Sequence, residues 1–196
     1  MVTGWYVTYA KRWIDVFLVL MLGVALSWLM LIICFVYLIA WNFPVFFCQE
    51  RIGLNEQPFQ IWKFRTLGID TDQPISKRRF WFGDLLRATG LDELPQLWLV
   101  LTGKMSLVGP RPLPASYLTL YNPEQRLRHQ VRPGITGLAQ VNGGKSASWK
   151  EKFEWDKRYL ESCSLRLDLS IIFRTILIVL SFNQDKLEQD QPFTGN

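Results

Sequence analysis

The sequence has few of the residues that build metal centres and disulfide frameworks. Its 196 residues contain one histidine, His129, and three cysteines, Cys34, Cys48 and Cys163. A single histidine cannot assemble a histidine-based metal site, and no two of the cysteines have metal-ligand spacing. An odd cysteine count also argues against a disulfide framework. We therefore predict reduced cysteines that lie in the core or face lipid.

Charged residues are missing from a long N-terminal block that runs from Val16 to Cys48. This exceeds the ~20 apolar residues that a transmembrane helix needs, so the block predicts membrane insertion. A straight helix from Asp15 to Trp41 would measure about 40 Å, which is longer than the ~30 Å hydrocarbon core of a bilayer. Such a helix must tilt or break, and Gly23 and Ser27 are candidate break points.

Positive charge flanks this block on both sides and does not choose one orientation. Lys11 and Arg12 precede it, and Arg51 is the first basic residue that follows it. If both flanks are cytoplasmic, the positive-inside rule favours a re-entrant helix that enters and leaves on one face. A single transmembrane span is the alternative.

The net charge of +5 and the pI near 9.2 predict anionic partners, which could be phosphates, nucleic acid or acidic lipid. Two short motifs could suggest nucleotide or nucleic-acid binding. "GGKS" lacks the earlier glycine and the strand of a P-loop, and "GITG" lacks the surrounding pattern of a KH domain. We therefore expect no nucleic-acid partner.

Beyond the apolar block, the pattern predicts a mostly helical α+β fold. "FQIWKFRT" alternates like a strand, and Asn122 is a candidate helix cap. "RRFWFGDLLRAT" predicts an amphipathic helix that suits a membrane surface, or else a core face with a solvated basic side. "ASWKEKFEWDKRYLES" predicts a polar helix, and "LRLDLSIIFRTILIVLSF" an interfacial or packed helix. "VRPGITGLAQVNGG" reads as irregular.

Two neighbouring carboxylates, Asp92 and Glu93, open the stretch "LDELPQLWLVLTG". The pattern predicts Asp92 as an N-cap, Pro95 in the first turn, a helix body at Gln96–Thr102 and a stop at Gly103. A helix N-terminus carries partial positive charge, so both carboxylates could stay ionised there, and the same place attracts phosphate.

Basic residues recur in the neighbouring motifs. Arg111 lies between two prolines that fix its backbone, and a guanidinium matches phosphate oxygens with two parallel hydrogen bonds. A magnesium ion would bind Asp92 and phosphate oxygens together. The alternatives are solvated arginines and a dyad that only caps a helix. The candidate phosphate-binding residues are Lys63, Arg65, Arg87, Arg111 and Arg132.

These motifs resemble the bacterial sugar transferases, which are monotopic phosphoglycosyl transferases of the bacterial inner membrane. The resemblance runs in family order from about Phe46 to Asp168. The stretches that carry it are "FFCQERIG", "FQIWKFRT", "LDELPQL", "GKMSLVGPRP", "RLRHQVRPGITGLAQVNG" and "SLRLDL".

The resemblance implies transfer of a sugar phosphate from a UDP-sugar to a polyprenol phosphate, with release of UMP. Asp92 would be the nucleophile of an aspartyl-phosphosugar intermediate, Glu93 its partner, and Mg²⁺ would bind near Asp92. The implied phosphate-binding side comprises Arg87, Arg111, Lys63 and Arg65. A non-catalytic relative that scaffolds a glycan-assembly complex is the alternative, and intact motif residues favour the enzyme.

The resemblance also implies an organisation for the whole chain. Residues 1–45 would form the membrane-inserted re-entrant helix, residues 46–182 a cytoplasmic transferase domain with interfacial helices, and residues 183–196 a polar tail. The expected location is the cytoplasmic face of the inner membrane, in contact with its lipid, and a homo-oligomer is left open. The chain departs from the family pattern at several positions, among them Ser27-Trp28, which replaces Ser-Pro, and Gly144, which replaces a frequent arginine.

Overall fold

The computed structural model describes residues 4–40, 44–144, 146–181 and 192–195. These residues are mostly helical, with two small sheets, which confirms the predicted α+β class. The strands are β1 (Phe46–Ile52), β2 (Pro58–Phe64), β3 (Ser106–Val108) and β4 (Gly134–Thr136). The α-helices are α1 (Lys11–Ala40), α2 (Ile75–Arg78), α3 (Trp81–Thr89), α4 (Leu97–Leu101), α5 (Pro123–Arg126), α6 (Leu138–Asn142), α7 (Trp149–Ser162) and α8 (Leu165–Leu180).

The N-terminal helix α1 follows a π-helical turn at Tyr6–Ala10. Its helical structure continues through both candidate break points, Gly23 and Ser27, and the Ser27 hydroxyl donates to the Val24 carbonyl at 2.9 Å. Within the described residues, the stretch Tyr6–Ala40 is the one helix long and apolar enough to cross a membrane. Among the described residues α8 does not meet this criterion, in line with its prediction as an interfacial or packed helix.

Both ends of α1 pack against the rest of the chain, whereas its middle does not. Val19, near the beginning, joins the main hydrophobic core, and Ile33 and Tyr37, near the end, join a second core. Between them, large apolar side chains such as Val24 and Trp28 are 79% and 60% exposed. An apolar surface of this size suits lipid better than water.

The strands β1 and β2 form an antiparallel hairpin, in the register Phe46↔Phe64 to Ile52↔Pro58, and β2 is the strand that "FQIWKFRT" predicted. Its turn is tight because Asn55 and Glu56 adopt positive φ angles of 53° and 60°. The side chains of Phe59 and Ile61 pack in the main core and that of Phe64 in the second core. Lys63 of the same strand contacts the side chain of Glu93.

The segment "VRPGITGLAQVNGG" is more regular than the sequence predicted, because it forms β4 and α6. β4 pairs in parallel with β3, Ser106↔Gly134 and Val108↔Thr136. This close pairing depends on glycine: a Cβ on Gly134 would lie 2.1 Å from the backbone nitrogen of Gly109. The prediction of an irregular segment was wrong because a two-residue parallel ladder has no periodic signature.

Several sequence predictions of helices are confirmed. Asn122 caps α5, as predicted, and the predicted polar helix is α7. Ser148, which was not predicted as a cap, caps α7, and both caps use a reciprocal pair of side-chain and backbone hydrogen bonds. The amphipathic helix α3 buries Phe82 and Leu86 and leaves Trp81 69% exposed. All three cysteines are free, as expected.

The main core lies between the first half of α1, β2, α4, β3, α7 and α8. α8 buries Ile171 and Asp168 on one side, while Phe173 and Leu180 are more than 60% exposed on the other. A third cluster, Leu113, Tyr121 and Phe193, closes the far side of the domain. This packing fixes α4, and with it the segment that carries the two adjacent carboxylates.

Candidate active site

The segment that carries Asp92 and Glu93 is a 3-10 helix, Leu91–Gln96, that leads directly into α4. Gly90 ends α3 in the left-handed conformation, with φ of 73°, and the chain turns at once into this helix. The Glu93 N–H donates to the Gly90 carbonyl at 3.2 Å. The predicted N-cap role of Asp92 is therefore wrong, because Asp92 lies inside a helix and its side chain caps nothing.

Glu93 is neutralised by two cations that come from distant parts of the chain. Lys63 of β2 forms an ion pair with its Oε1 atom, and Arg111 Nη2 donates to the same oxygen at 3.2 Å. Burial alone would raise the pKa of Glu93. The charges and hydrogen bonds of Lys63 and Arg111 outweigh it and lower the pKa to about 2, so Glu93 is a carboxylate at neutral pH.

Asp92 has the opposite environment, although it is the next residue. It is 7% exposed, and its carboxylate makes no hydrogen bond or ion pair with any residue that the structure describes. Burial and the charge of Glu93 raise its pKa to about 6, against the opposing effect of Lys63, Arg111 and Arg87. Burying this charge is costly, as the raised pKa shows, so it calls for an explanation beyond folding.

Arg87 reaches the same region from the last turn of α3. Its Nη2 atom donates to the carbonyl of Thr66 at 3.3 Å and to the hydroxyl of Thr66 at 3.2 Å. Its charge acts on Asp92 without a direct ion pair. Burial lowers the pKa of Arg87, but from so high a value that the side chain stays charged.

The structure brings three of the five predicted basic residues to the dyad, namely Lys63, Arg87 and Arg111. Arg65 lies elsewhere: it donates to the carbonyls of Pro44 and Phe46, at 3.0 and 3.2 Å. Arg132 also lies apart, since its Nε atom donates at 2.8 Å to the carbonyl of Gly103, beyond the other end of α4.

The reasons for these two differences are local. Arg65 follows β2 directly, and its side chain turns back to the chain that enters β1. Arg132 donates to a carbonyl beyond the end of α4, where a cation also interacts favourably with the partial negative charge of the helix dipole. Neither contact has a signature in sequence. For both residues the phosphate-binding role stays a prediction.

Two carboxylates and three cations thus share one site, so the site as a whole attracts an anion. The described residues contain no group of three or more His, Cys, Asp or Glu side chains that could hold a metal ion. Magnesium does not need such a group, because it often binds through one or two carboxylates and substrate phosphates. Asp92 fits this role, since Glu93 is already paired.

One buried pair near the site was missed by the sequence analysis. Arg128 and Asp156 form an ion pair of 2.8 Å, with side chains only 5% and 6% exposed. Arg128 also donates to the backbone carbonyl of Arg111 at 2.8 Å. The two residues lie on different elements, and only the arginine-rich stretch "RLRHQVRPG" hinted that one of these cations would be buried.

Comparison with known proteins gives a consistent family. A family profile described as "Bacterial sugar transferase" matches residues 6–182. The chain is 45% identical over 161 residues to an uncharacterised sugar transferase, EpsL, of Bacillus subtilis (strain 168), covering 78% of this chain and 80% of EpsL.

Two further relatives carry names that specify a reaction. The UDP-glucose:undecaprenyl-phosphate glucose-1-phosphate transferase of Klebsiella pneumoniae is 36% identical over 181 residues, or 85% of this chain and 39% of that protein. The UDP-N-acetylgalactosamine-undecaprenyl-phosphate N-acetylgalactosaminephosphotransferase of Aeromonas hydrophila is 38% identical over 151 residues, or 70% and 36%. The chain thus spans well under half the length of these two relatives.

Proposed function

The chain belongs to the bacterial sugar transferase family, and on that premise we propose that it transfers a sugar phosphate from a UDP-sugar to undecaprenyl phosphate. The observation that carries this proposal is the buried carboxylate of Asp92, which pairs with none of the residues that the structure describes, beside a Glu93 that Lys63 and Arg111 neutralise. The names of the relatives support the reaction class and differ in the sugar. The sugar on which this chain acts stays open.

The first step is attack by an Asp92 oxygen on the phosphorus that carries the sugar. A carboxylate–phosphorus bond forms, the bond from that phosphorus to the bridging oxygen breaks, and UMP leaves with the bonding electron pair. In the second step, a phosphate oxygen of undecaprenyl phosphate attacks the same phosphorus. Asp92 leaves as a carboxylate, and the product is undecaprenyl diphosphate-sugar. Splitting the transfer lets two bulky substrates of different solubility react in turn.

The surroundings of Asp92 suit an anionic nucleophile that must approach an anionic substrate. A pKa near 6 leaves the carboxylate ionised at neutral pH but more basic than an ordinary aspartate. Lys63 and Arg111 hold the charge of Glu93, so that it repels the diphosphate less than a free carboxylate would. Arg111 is about a third exposed, at 35% of its side chain, and so remains accessible to a phosphate.

Magnesium completes this proposal as the expected cofactor. When bound, it would neutralise phosphate oxygens and the developing charge on the leaving UMP. Asp92 would hold it together with the substrate, since Glu93 is taken up by Lys63 and Arg111. Arg87, at the end of α3, would then attract the same phosphates, since its charge already acts on Asp92.

We also propose that α1 enters and leaves the membrane on one face. A single straight span would carry its two ends to opposite faces, about 45 Å apart for 30 residues. Both ends of α1 contact the same domain: Lys11 at one end pairs with Asp168 at 2.5 Å, and Tyr37 near the other donates to the carbonyl of Arg65. Contact of both ends with one domain supports a re-entrant helix, with the catalytic domain on the cytoplasmic face where UDP-sugars are made.

Cysteine labelling tests this topology. In a variant without the native cysteines, single cysteines at positions 5 and 55 should be protected or labelled together by a membrane-impermeant reagent in intact cells. Labelling of position 5 alone from outside the cell would show that α1 spans the membrane.

A release assay tests the proposed activity. Purified protein in lipid nanodiscs, with Mg²⁺, undecaprenyl phosphate and a panel of UDP-sugars, should release UMP with at least one sugar. The Asp92→Asn variant should release none. Binding of a UDP-sugar without release of UMP would instead favour a non-catalytic scaffold in a glycan-assembly complex.

A further inference from the structure

The backbone around Arg111 is held in place from three directions. Residues 110 to 112 are Pro-Arg-Pro, so two fixed φ angles flank Arg111. Three successive carbonyls of this segment each accept a hydrogen bond from a different part of the chain. The donors are, in order, the Gly134 N–H at 3.0 Å, Arg128 Nη2 at 2.8 Å and Arg51 Nη1 at 3.3 Å.

Of these three donors, Arg128 is the one that binds the carbonyl of Arg111 itself. It is 5% exposed, and its guanidinium lies over the ring of Phe153, 5.4 Å from the centroid. Its Nη2 atom is 2.8 Å from Asp156 Oδ2 and 2.8 Å from the Arg111 carbonyl. One nitrogen therefore connects the rigid helix α7, which carries Asp156, to the backbone of Arg111.

A buried ion pair adds little to the stability of a fold, because removing two charges from water costs free energy and apolar residues of similar size often stabilise the fold equally well. Asp156 shows that cost: burial raises its pKa, although the charge of Arg128 acts in the opposite direction. The pair lies directly behind Arg111, whose side chain binds Glu93 of the dyad at 3.2 Å. A continuous path thus runs from Asp156 through Arg128 and Arg111 to Glu93.

We propose that Arg128, oriented by Asp156, is a positioning residue that fixes Arg111 for contact with the transferred phosphate. Arg128 itself is buried and acts through Arg111. This inference rests on the proposed transferase function. Its physical basis is that a shift of about 1 Å in a phosphate-binding group costs a large part of the rate, because binding energy is realised only in the correct geometry.

Lysine cannot replace arginine in this role. The guanidinium of Arg128 presents a planar fork that also reaches the Tyr121 hydroxyl, at 3.4 Å from Nη1. Arg128→Lys keeps the positive charge opposite Asp156, but a single ammonium on a flexible stem does not hold both Asp156 and the Arg111 carbonyl in one geometry. This substitution therefore separates charge from position.

The test is a double-mutant cycle between Arg128 and Arg111, with UMP release as the readout. We expect Arg128→Lys to lower kcat about tenfold, with a smaller change in KM, since the misplaced group matters most where charge develops. In an Arg111→Ala background the same substitution should change kcat less than about twofold, because the side chain that Arg128 positions is then absent.

Two further variants separate positioning from stability. Arg126→Lys is the matched control: Arg126 lies two residues away and pairs with Glu56 at 2.8 Å, in an ion pair whose side chains are 41% and 33% exposed. It should keep wild-type kcat. Asp156→Asn keeps the shape and one acceptor oxygen, so it serves if Arg128→Lys does not fold. It should lower kcat and also lose its effect when Arg111 is alanine. Thermal unfolding of each variant, measured alongside, shows how much protein is folded.

The outcomes distinguish this inference from the proposed function. Suppose that the wild-type chain releases UMP, but Arg128→Lys and Asp156→Asn lower kcat by the same factor whether residue 111 is arginine or alanine. The ion pair is then only structural and the inference is wrong. If the wild-type chain releases no UMP with any UDP-sugar, the proposed function fails, and the positioning role fails with it.

Discussion

Asp92 and Asp168 are both buried aspartates, 7% and 3% exposed, yet their partners differ completely. Asp168 accepts hydrogen bonds from Lys11 at 2.5 Å, from Tyr6 at 2.6 Å and from Tyr159 at 2.9 Å. Asp92 has no such partner among the described residues, although three cations lie near it. A satisfied buried carboxylate contributes to the fold, whereas one whose pKa burial raises is a cost that a function explains.

The difference extends to the parts of the chain that each aspartate connects. Asp168 joins α8 to the beginning of α1, and nearby Asp15 accepts from the Ser106 hydroxyl at 2.7 Å, so this cluster fixes the beginning of α1 to the domain. Asp92 joins no two elements among the residues that the structure describes. The contrast fits the proposal that one buried aspartate serves assembly and the other serves a ligand.

The largest expected effect comes from Asp92→Asn, which removes the nucleophile and keeps its shape. We expect UMP release to fall by at least about 10³-fold, as for loss of other catalytic nucleophiles. The fold should become more stable. The pKa of Asp92 is about 6 in the folded state and near 4 in the unfolded state. The ionised carboxylate therefore begins to destabilise the fold above pH 4, and the full cost is present above about pH 6.

Thermal unfolding at pH 7 checks this second part of the prediction. The gain is on the order of 1–3 kcal/mol, and it should shrink as the pH falls through 6 and be gone well below pH 4, where Asp92 is protonated in both states. A loss of stability in Asp92→Asn would mean that the carboxylate stabilises the fold, as that of Asp168 does, and would contradict the difference drawn between the two residues.

The second prediction concerns Asp168→Asn. This substitution leaves Lys11 buried with only Asp15 nearby, at 3.9 Å, and weakens two tyrosine hydrogen bonds. We expect a loss of about 3–5 kcal/mol in stability, the cost of breaking a buried pair. The measurement is thermal unfolding in nanodiscs.

Asp84→Asn is the matched control for Asp168→Asn. Its ion pair with Arg79, 3.0 Å long, is more exposed, at 25% and 38% of the two side chains. It should change stability by less than about 1 kcal/mol. Equal effects of the two substitutions would contradict the structural role given to Asp168.

The sequence predicted the importance of Asp92 but not the contacts of Asp168. "LDELPQL" marked Asp92 and Glu93, and proline on both sides marked Arg111, because these signals are local. The partners of Asp168 could not be predicted in this way: Tyr6 lies 162 residues away in sequence, and Lys11 lies 157 away. Long-range pairs depend on packing that no local pattern encodes.

The same reasoning explains the individual errors. Asp92 was predicted as an N-cap because Asp-x-x-Pro resembles the start of a helix, but Gly90 had already started the helical segment. The phosphate-binding roles of Arg65 and Arg132 stay predictions, and in the structure each side chain donates to backbone carbonyl oxygen. Helix caps such as Asn122 and Ser148 were predictable, because their partners lie three residues away.

The third prediction concerns Glu93→Gln, which keeps the dyad's shape and removes one charge. It releases Lys63 and Arg111 from their pair, so both cations act more strongly on Asp92 and lower its pKa. A less basic Asp92 is a weaker nucleophile, and Arg111 loses an anchor. We expect UMP release to fall by about 10- to 100-fold. Wild-type rates would show that Glu93 does not support Asp92.

The smallest effect is the dependence on pH. Asp92 attacks only as a carboxylate, so kcat/KM in the wild type should fall about tenfold per pH unit below its pKa of about 6. In Glu93→Gln the midpoint should shift to lower pH, because a neighbouring negative charge is gone. A shift to higher pH, or a flat profile between pH 5 and 7, would contradict the assignment of the raised pKa to Asp92.

The most direct test asks whether Asp92 itself takes the sugar phosphate. Wild-type protein is mixed with Mg²⁺ and its UDP-sugar, without undecaprenyl phosphate, and the UMP released is counted. We predict about one UMP per active site and then a stop, with a sugar-phosphate adduct on the peptide that contains Asp92 by mass spectrometry. UMP release only when both substrates are present, with no burst and no adduct, would contradict a covalent role for Asp92 and leave it as a metal ligand or a base.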